Sequence, residues 1–297
     1  MRIVRRLNPK SIAFYILMHL GALLCFLVPA TPVAMTLAFG LYLLSGISWS
    51  VGIHRGLIHR SYETSRILEN LFAFLGALAG LGGPIASSRV HFVRDYYQSR
   101  RGIAARDYPD SFWQNYFTLP FFCDTTLMPA PRDRTTARLQ QRWFFRMLER
   151  RWTLTLVIAL LLYALAGISG VVWGLFFRAV VTGNIFACFD FICHSPRFGS
   201  QRFTIDGASN EGRNQWLLGL ITLGEGWHNN HHAMPSSPRM GSAWYELDFG
   251  YAVICLLARF GLVWNLQDSS KAMKPNVRPV VNLDSGLAKL SSKSMRS

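Results

Sequence analysis

Acidic residues are scarce in this chain. Its 297 residues carry 31 Lys and Arg against 16 Asp and Glu, for a formal net charge of +15. Charge of either sign is absent from Ser11 to Gly52, and from Trp152 to His194 only Arg178 and Asp190 carry any. No Cys-x2-Cys pair occurs among Cys25, Cys123, Cys188, Cys193 and Cys255. They read as buried thiols, which argues against a disulfide framework or a zinc-binding ribbon. The basic excess comes with no RNA- or DNA-binding motif, so nucleic acid is not the expected partner. Attraction to anionic lipid headgroups explains it better. There is no internal repeat.

What is present is apolar. Hydrophobic residues make up 51% of the chain and the mean hydropathy is +0.20. At about 1.5 Å per residue, each uncharged block supplies two spans of about 20 residues. The turns fall at Pro29–Pro32 and Gly167–Gly170. The expected fold is therefore all-α and integral to the membrane, with four transmembrane helices (about 11–29, 33–53, 152–168 and 171–193) in two hairpins. Both turns are uncharged, while Arg2, Arg5, Arg6, Lys10, the Arg-rich middle and the basic C-terminus lie on the other side. Positive residues stay in the cytoplasm, so both termini and both polar segments are expected there. This holds for a bacterial inner membrane or an endoplasmic reticulum alike. Residues 1–30 loosely fit a cleaved signal peptide, but a second apolar span follows at once.

Residues 65–85 are apolar but broken by glycine. A full span there would spoil the charge asymmetry, so a helix that dips in or lies along the interface is expected. Leu247 to Leu266 suits an amphipathic surface helix. A single domain over 1–268 is expected to end in a disordered basic tail, 269–297. Within the last span, Arg178 should face the bundle interior. Asn184 and Asp190 either approach it or the site below, or form a helix-packing polar cluster. Tyr96, Tyr97, Trp113 and Trp244 read as an interfacial aromatic belt, or alternatively as the lining of a tunnel.

Eight histidines occur, and three of them, His228, His231 and His232, fall within five positions in GEGWHNNHHAMP. Spacing of i, i+3 and i+4 puts them on one helical face, the usual footprint of a metal site. His54 and His59, in GIHRGLIHRSY, end a long apolar stretch, where imidazoles are costly unless they bind something. Every histidine except His19 falls at or beyond the expected cytoplasmic face, in a helical cap.

GIHRGLIHRSY resembles the first histidine box, H-x4-H, of the membrane fatty acyl desaturases, and GEGWHNNHHAMP resembles their third, H-x2-H-H. The likeness covers most of residues 35–266. The second box departs from the pattern: in SSRVHFVRDYYQ, His91 stands alone, with Arg94 and Asp95 in the two following ligand positions. A family Asn-x3-His appears as Asp190-x3-His194. The resemblance thus carries over His54, His59, His91, His194, His228, His231 and His232, where the family shows nine. Asp95 and Asp190, each four residues from a histidine, would restore nine donors. Arg94 has no available lone pair and cannot ligate. Either it turns away to pair with an acid, Asp95 among the candidates, or one metal position is empty.

The resemblance implies two irons that activate O2 and take two hydrogens from adjacent methylenes of an acyl chain; related sites hydroxylate or form alkynes. It implies an acyl chain carried by CoA, acyl carrier protein or lipid, with the basic excess available to an acidic carrier. No fused haem domain or rubredoxin-like segment is present, so a separate electron donor, cytochrome b5, ferredoxin or similar, is implied. Two readings follow: a membrane-bound iron-dependent acyl desaturase, or a catalytically impaired homologue that binds acyl chains or partners an active desaturase. A transporter or channel is disfavoured, since clustered cytoplasmic histidines suggest no pore.

Overall fold

The computed structural model of the chain describes residues 8–99, 112–113, 116 and 133–280. Cys123 lies outside these residues; the other four cysteines are free thiols. The fold is mostly helical. Helix α1 (Pro9–Leu23) starts where the Asn8 side chain accepts from Ser11 N and Pro9 fills the first turn. Helix α2 (Pro32–Ser48) repeats the device with Thr31 and Pro32. The other long apolar stretch holds α7 (Arg151–Ser169) and α8 (Arg178–His194), joined by π-type turns over Gly170–Phe177.

Among the described residues, three helices are long and apolar enough to cross a membrane: Pro9–Phe26, Pro32–Ile58 and Arg151–His194. Unbroken, the 44 residues of the third would run about 66 Å, far beyond one hydrocarbon core. The path breaks at Ala166 (φ −145°, ψ 18°) and Gly167 (φ 59°, ψ −152°), the second a conformation that favours glycine. The chain then returns, so that a Cβ on Gly174 would sit 3.1 Å from the Leu162 side chain. Helices α1 and α2 both lean on this returning arm, α1 through Phe14 and Met18 against Phe176 and Ala179, α2 through Leu37 and Leu41 beside Leu175. The two uncharged turns are tied together: Ser169 Oγ donates to Pro29 O (2.8 Å) and Trp173 Nε1 to Val28 O (3.1 Å).

Helix α3 (Arg66–Ala77) spans only 12 residues, about 18 Å, too short to cross. It lies against the continuation of α2, where Gly52 lets Phe72 approach so closely that a Cβ would overlap it. Helices α4 (Pro84–Gln98), α5 (Arg134–Gln140) and α6 (Trp143–Leu148) follow. Leu139, Phe145 and Leu148 close a core with Ile53, Leu57 and Ala73. The short α9 (Trp216–Ile221) and α10 (His228–Ala233) precede α11 (Phe249–Arg259). Helix α11 buries Ile254 against Val51 and Phe72 and exposes Leu256, with Phe260 and Leu262 just beyond it. This is the amphipathic form expected of a surface helix.

Arg178 is buried, and its Nε donates to Gly174 O (2.8 Å). Asn184 bonds back to Val180 O (2.8 Å) and so does not turn to Arg178. Trp113 and Trp244 are exposed, and the Tyr97 side chain lies outside the described residues.

The expected disordered tail is corrected over residues 269–280 alone, since residues 281–297 lie outside the described residues. Residues 269–280 are built into the fold, with α12 over Ser269–Ala272 and strand β4 over Val277–Pro279. Two short antiparallel pairs form: β1 (Glu63–Thr64) with β3 (Val263–Trp264), and β2 (Phe203–Ile205) with β4, Ile205 opposite Val277. Ala272 packs with Phe203, Ala233 and Met234, and Lys274 N donates to Ala233 O (3.0 Å). The order of this polar segment comes from backbone pairing with a strand some 70 residues away, which needs no local hydrophobic period.

Candidate metal centre

Four helical elements carry the seven histidines. The first continues α2 as Trp49–Ile58, wound in π-type turns, with His59 N donating to His54 O (3.1 Å) five residues back. On an α-helix, residues five apart diverge by about 140°. The wider winding returns His59 to the side of His54, ring centroids 4.9 Å apart. Helix α4 supplies His91, α8 ends in His194, and α10 bears His228, His231 and His232.

They form two groups. His54, His59, His91 and His231 are one, and His194, His228 and His232 the other; within each, the candidate ligand atoms all lie within 4.8 Å of one another. The triplet on α10 is divided, His231 joining the first group while His228 and His232 join the second. The groups adjoin, with the His228 and His231 rings stacked at 5.6 Å.

Within each group the Nε2 atoms converge. His54 and His91 approach to 2.8 Å and His59 and His91 to 3.3 Å; His228 lies 3.0 Å from His194 and 3.1 Å from His232. Several opposite ring nitrogens are engaged. His54 Nδ1 meets Glu225 at 2.5 Å, His194 Nδ1 meets Asp190 O at 2.7 Å, and His91 Nδ1 lies 3.2 Å from Asp95. The partners of His54 and His194 assign the proton to Nδ1 there and leave the Nε2 lone pairs facing their neighbours. Facing lone pairs repel unless a cation lies between them. Two imidazoles bound at about 2.1 Å with a right angle between them would be separated by about 3.0 Å, so the residues fit a metal ion in each group.

His228, His231 and His232 are buried. Burial, reinforced by neighbouring imidazoles for His228 and His231, pushes those two well below the usual histidine range. Burial likewise takes His232 down to about 3. All three are therefore neutral at physiological pH, as ligation requires.

Sequence reasoning missed the carboxylate that anchors the first group. Glu225 is 2% exposed; it accepts from Ser50 Oγ (2.5 Å), engages His54, and lies 3.6 Å from the Arg55 guanidinium. Burial works against its ionisation, yet His54, Arg55 and Ser50 outweigh that and hold its carboxyl below the usual range. Arg55, fully buried, also binds Asp248 (2.9 Å). The available signal was a lone acid three residues before His228 in an otherwise apolar run.

The two asparagines between the histidines secure α10 from its other side. Asn229 accepts from Arg202 N and Phe203 N, while Asn230 donates to Met240 O (2.8 Å) and Glu246 (2.9 Å). Both are fully buried. Asn230→Ala is expected to leave Met240 O and the Asn214 Nδ2 donor without this partner, at about 1–3 kcal/mol each. A lowered melting temperature in thermal scans of the purified protein checks this.

Neither aspartate expected to replace a missing histidine stands in a donor group. Asp95 sits against His91 Nδ1, on the ring edge away from the converging nitrogens. Asp190 is ion-paired with Arg94, so Arg94 turns to Asp190 and not to Asp95. An Arg94 Nη atom is 3.5 Å from His194 Nδ1. The i, i+4 spacing put each carboxylate on its histidine's face without deciding which ring nitrogen it would meet.

A cavity of about 750 Å3 opens beside the groups, bordered by five of the seven histidines and by Trp49, Phe186 and Phe189. Trp113 and Trp244 do not line it.

Known proteins are similar to this chain. The family model described as fatty acid desaturase matches residues 13–260. A palmitoyl-monogalactosyldiacylglycerol delta-7 desaturase of Arabidopsis thaliana is 32% identical over 81% of this chain and 64% of its own length, just under two thirds. An sn-1 stearoyl-lipid 9-desaturase of Anabaena variabilis is 30% identical over 90% of this chain and 96% of its own. An acyl-CoA C20 Delta5-desaturase of Anemone leveillei is 29% identical over 91% and 86%. With a match over most of its length and relatives near 30% identity, the chain belongs to the fatty acid desaturase family of oxidoreductases.

Proposed function

We propose that this protein is an integral-membrane, iron-dependent desaturase that introduces a double bond into an acyl chain. The observation that carries the reading is the convergence of seven imidazoles, in two groups, beside a cavity with apolar walls at Trp49, Phe186 and Phe189. His54, His59, His91 and His231 would hold one iron; His194, His228 and His232 would contribute to a second. Iron bound there would supply the oxidising power, drawn from O2 and external electrons, to remove hydrogen from unactivated methylenes. The chain's own residues supply geometry. Glu225 and Asp190 O fix the rings of His54 and His194, burial keeps the three imidazoles of α10 neutral, and the aromatic walls exclude water from an apolar substrate.

The membrane arrangement belongs to the same proposal. Four spans in two hairpins, with the turns at Pro29 and Ser169 on the far side, leave the termini and the histidine cap in the cytoplasm. Residues 1–268 form the desaturase domain, to which residues 269–280 add a strap. Relatives that act on acyl-CoA and on lipid-bound chains support an acyl-chain substrate, and a separate redox protein such as cytochrome b5 or ferredoxin supplies electrons.

Arg94 favours a second reading, a homologue that binds acyl chains without oxidising them, because a guanidinium stands where a ligand is expected. Expression in a host that makes only saturated chains, with gas chromatography of total lipids, separates the two. A new unsaturated acyl species is expected. Unchanged lipids, with the protein folded, inserted and supplied with a redox partner, would support the second reading.

A further inference from the structure

The two histidine groups differ in number of donors, in charge and in enclosure. The first has four imidazoles, and carboxylates stand behind two of them, Glu225 on His54 and Asp95 on His91. A carboxylate on the outer nitrogen raises the basicity of the metal-facing one and adds negative charge near the cation. The second has three imidazoles, and among the described residues the charges behind His194 Nδ1 are the Arg94 guanidinium at 3.5 Å and the Asp190 carboxylate paired with it, at 3.8 Å. Among the described residues, the buried acid beside this group, Asp190, is ion-paired with Arg94. Turning Asp190 to a metal would give up that ion pair. All three histidines of the second group border the cavity, whereas only His54 and His91 of the first do.

We propose that the two groups hold metal unequally: the four-histidine group retains a divalent ion, and the three-histidine group, flanked by the Arg94–Asp190 pair, binds one weakly and exchanges it through the cavity. The proposal rests on the metal reading of the proposed function and adds that the two positions are not equivalent. One imidazole fewer and a supporting carboxylate neutralised by Arg94 each weaken the second site by about tenfold or more, giving roughly a hundredfold difference in affinity.

The test is metal retention by the purified full chain in lipid nanodiscs, loaded with Fe(II) or Co(II) alone and dialysed against graded chelator. Wild type is expected to release one ion at about a hundredfold lower chelator concentration than the other. His59→Ala should lose the retained ion and His232→Ala should keep it, with the Co(II) absorption spectrum reporting which geometry remains. Arg94→His, which removes the cation and adds a donor, should raise the retained number from one to two. Two ions released together from wild type, loss of the retained ion in His232→Ala, or no gain in Arg94→His would overturn the inequality while leaving the proposed function standing. No retained ion in folded wild type would instead overturn the metal reading itself.

Discussion

Replacing His231 by alanine is expected to abolish formation of unsaturated product and to strip the four-histidine group of its metal, while His19→Ala changes neither. His231 is the one residue of α10 that reaches the first group, its ring centroid 4.7 Å from His54 and 4.6 Å from His59. His19 lies apart and bonds its own helix at Tyr15 O (2.8 Å). A substitution beside a metal ligand typically costs 10–100-fold in affinity or activity, so loss of a ligand should cost at least about a hundredfold. Alanine is smaller and leaves no buried polar atom unpaired, so the chain should still fold and insert. Lipid analysis, metal content and size-exclusion elution of the two variants side by side check this. Product at the wild-type level in His231→Ala would remove the first group from the reaction.

The convergence of the histidines was legible because their spacings encode it. H-x2-H-H on a helix fixes a common face, and the uncharged run before His54 and His59 put them at the end of a long apolar helix. What the pattern lacked was the division of that face, with His231 serving one group and His228 and His232 the other; that division depends on what α2, α4 and α8 bring opposite. The aspartates illustrate the same limit, since a spacing of four selects a side of the helix but not a ring nitrogen. The apolar blocks and the two turns were visible in the absence of charge, and the break at Ala166 and Gly167 falls where glycine invites it. The strap of residues 269–280 was illegible because β4 is ordered through β2, a pairing that leaves no trace in local composition.

Glu225→Ala is expected to be among the most destabilising single changes in the chain, and Glu225→Gln to separate its structural role from its electrostatic one. Glu225 stands among three buried partners, accepting from Ser50 Oγ and His54 Nδ1 and facing the fully buried Arg55. Alanine would leave the Nδ1 proton of His54 without an acceptor and Arg55 with Asp248 as its remaining carboxylate. Removing one member of such a buried network costs about 3–5 kcal/mol. The alanine variant should therefore unfold at a markedly lower temperature in detergent. Glutamine keeps the size and an amide oxygen that accepts from His54, so most of that stability should return. It removes the negative charge behind the His54 ring, and with it the push that makes Nε2 a better donor. Metal affinity at the four-histidine group should then fall about 10–100-fold in a chain of nearly wild-type melting temperature. Wild-type affinity in Glu225→Gln would reduce Glu225 to a packing and capping residue, whereas a fold lost in both variants would place its charge in the stability of the Arg55 network. The carboxylate matters to the metal only if affinity falls while the fold holds.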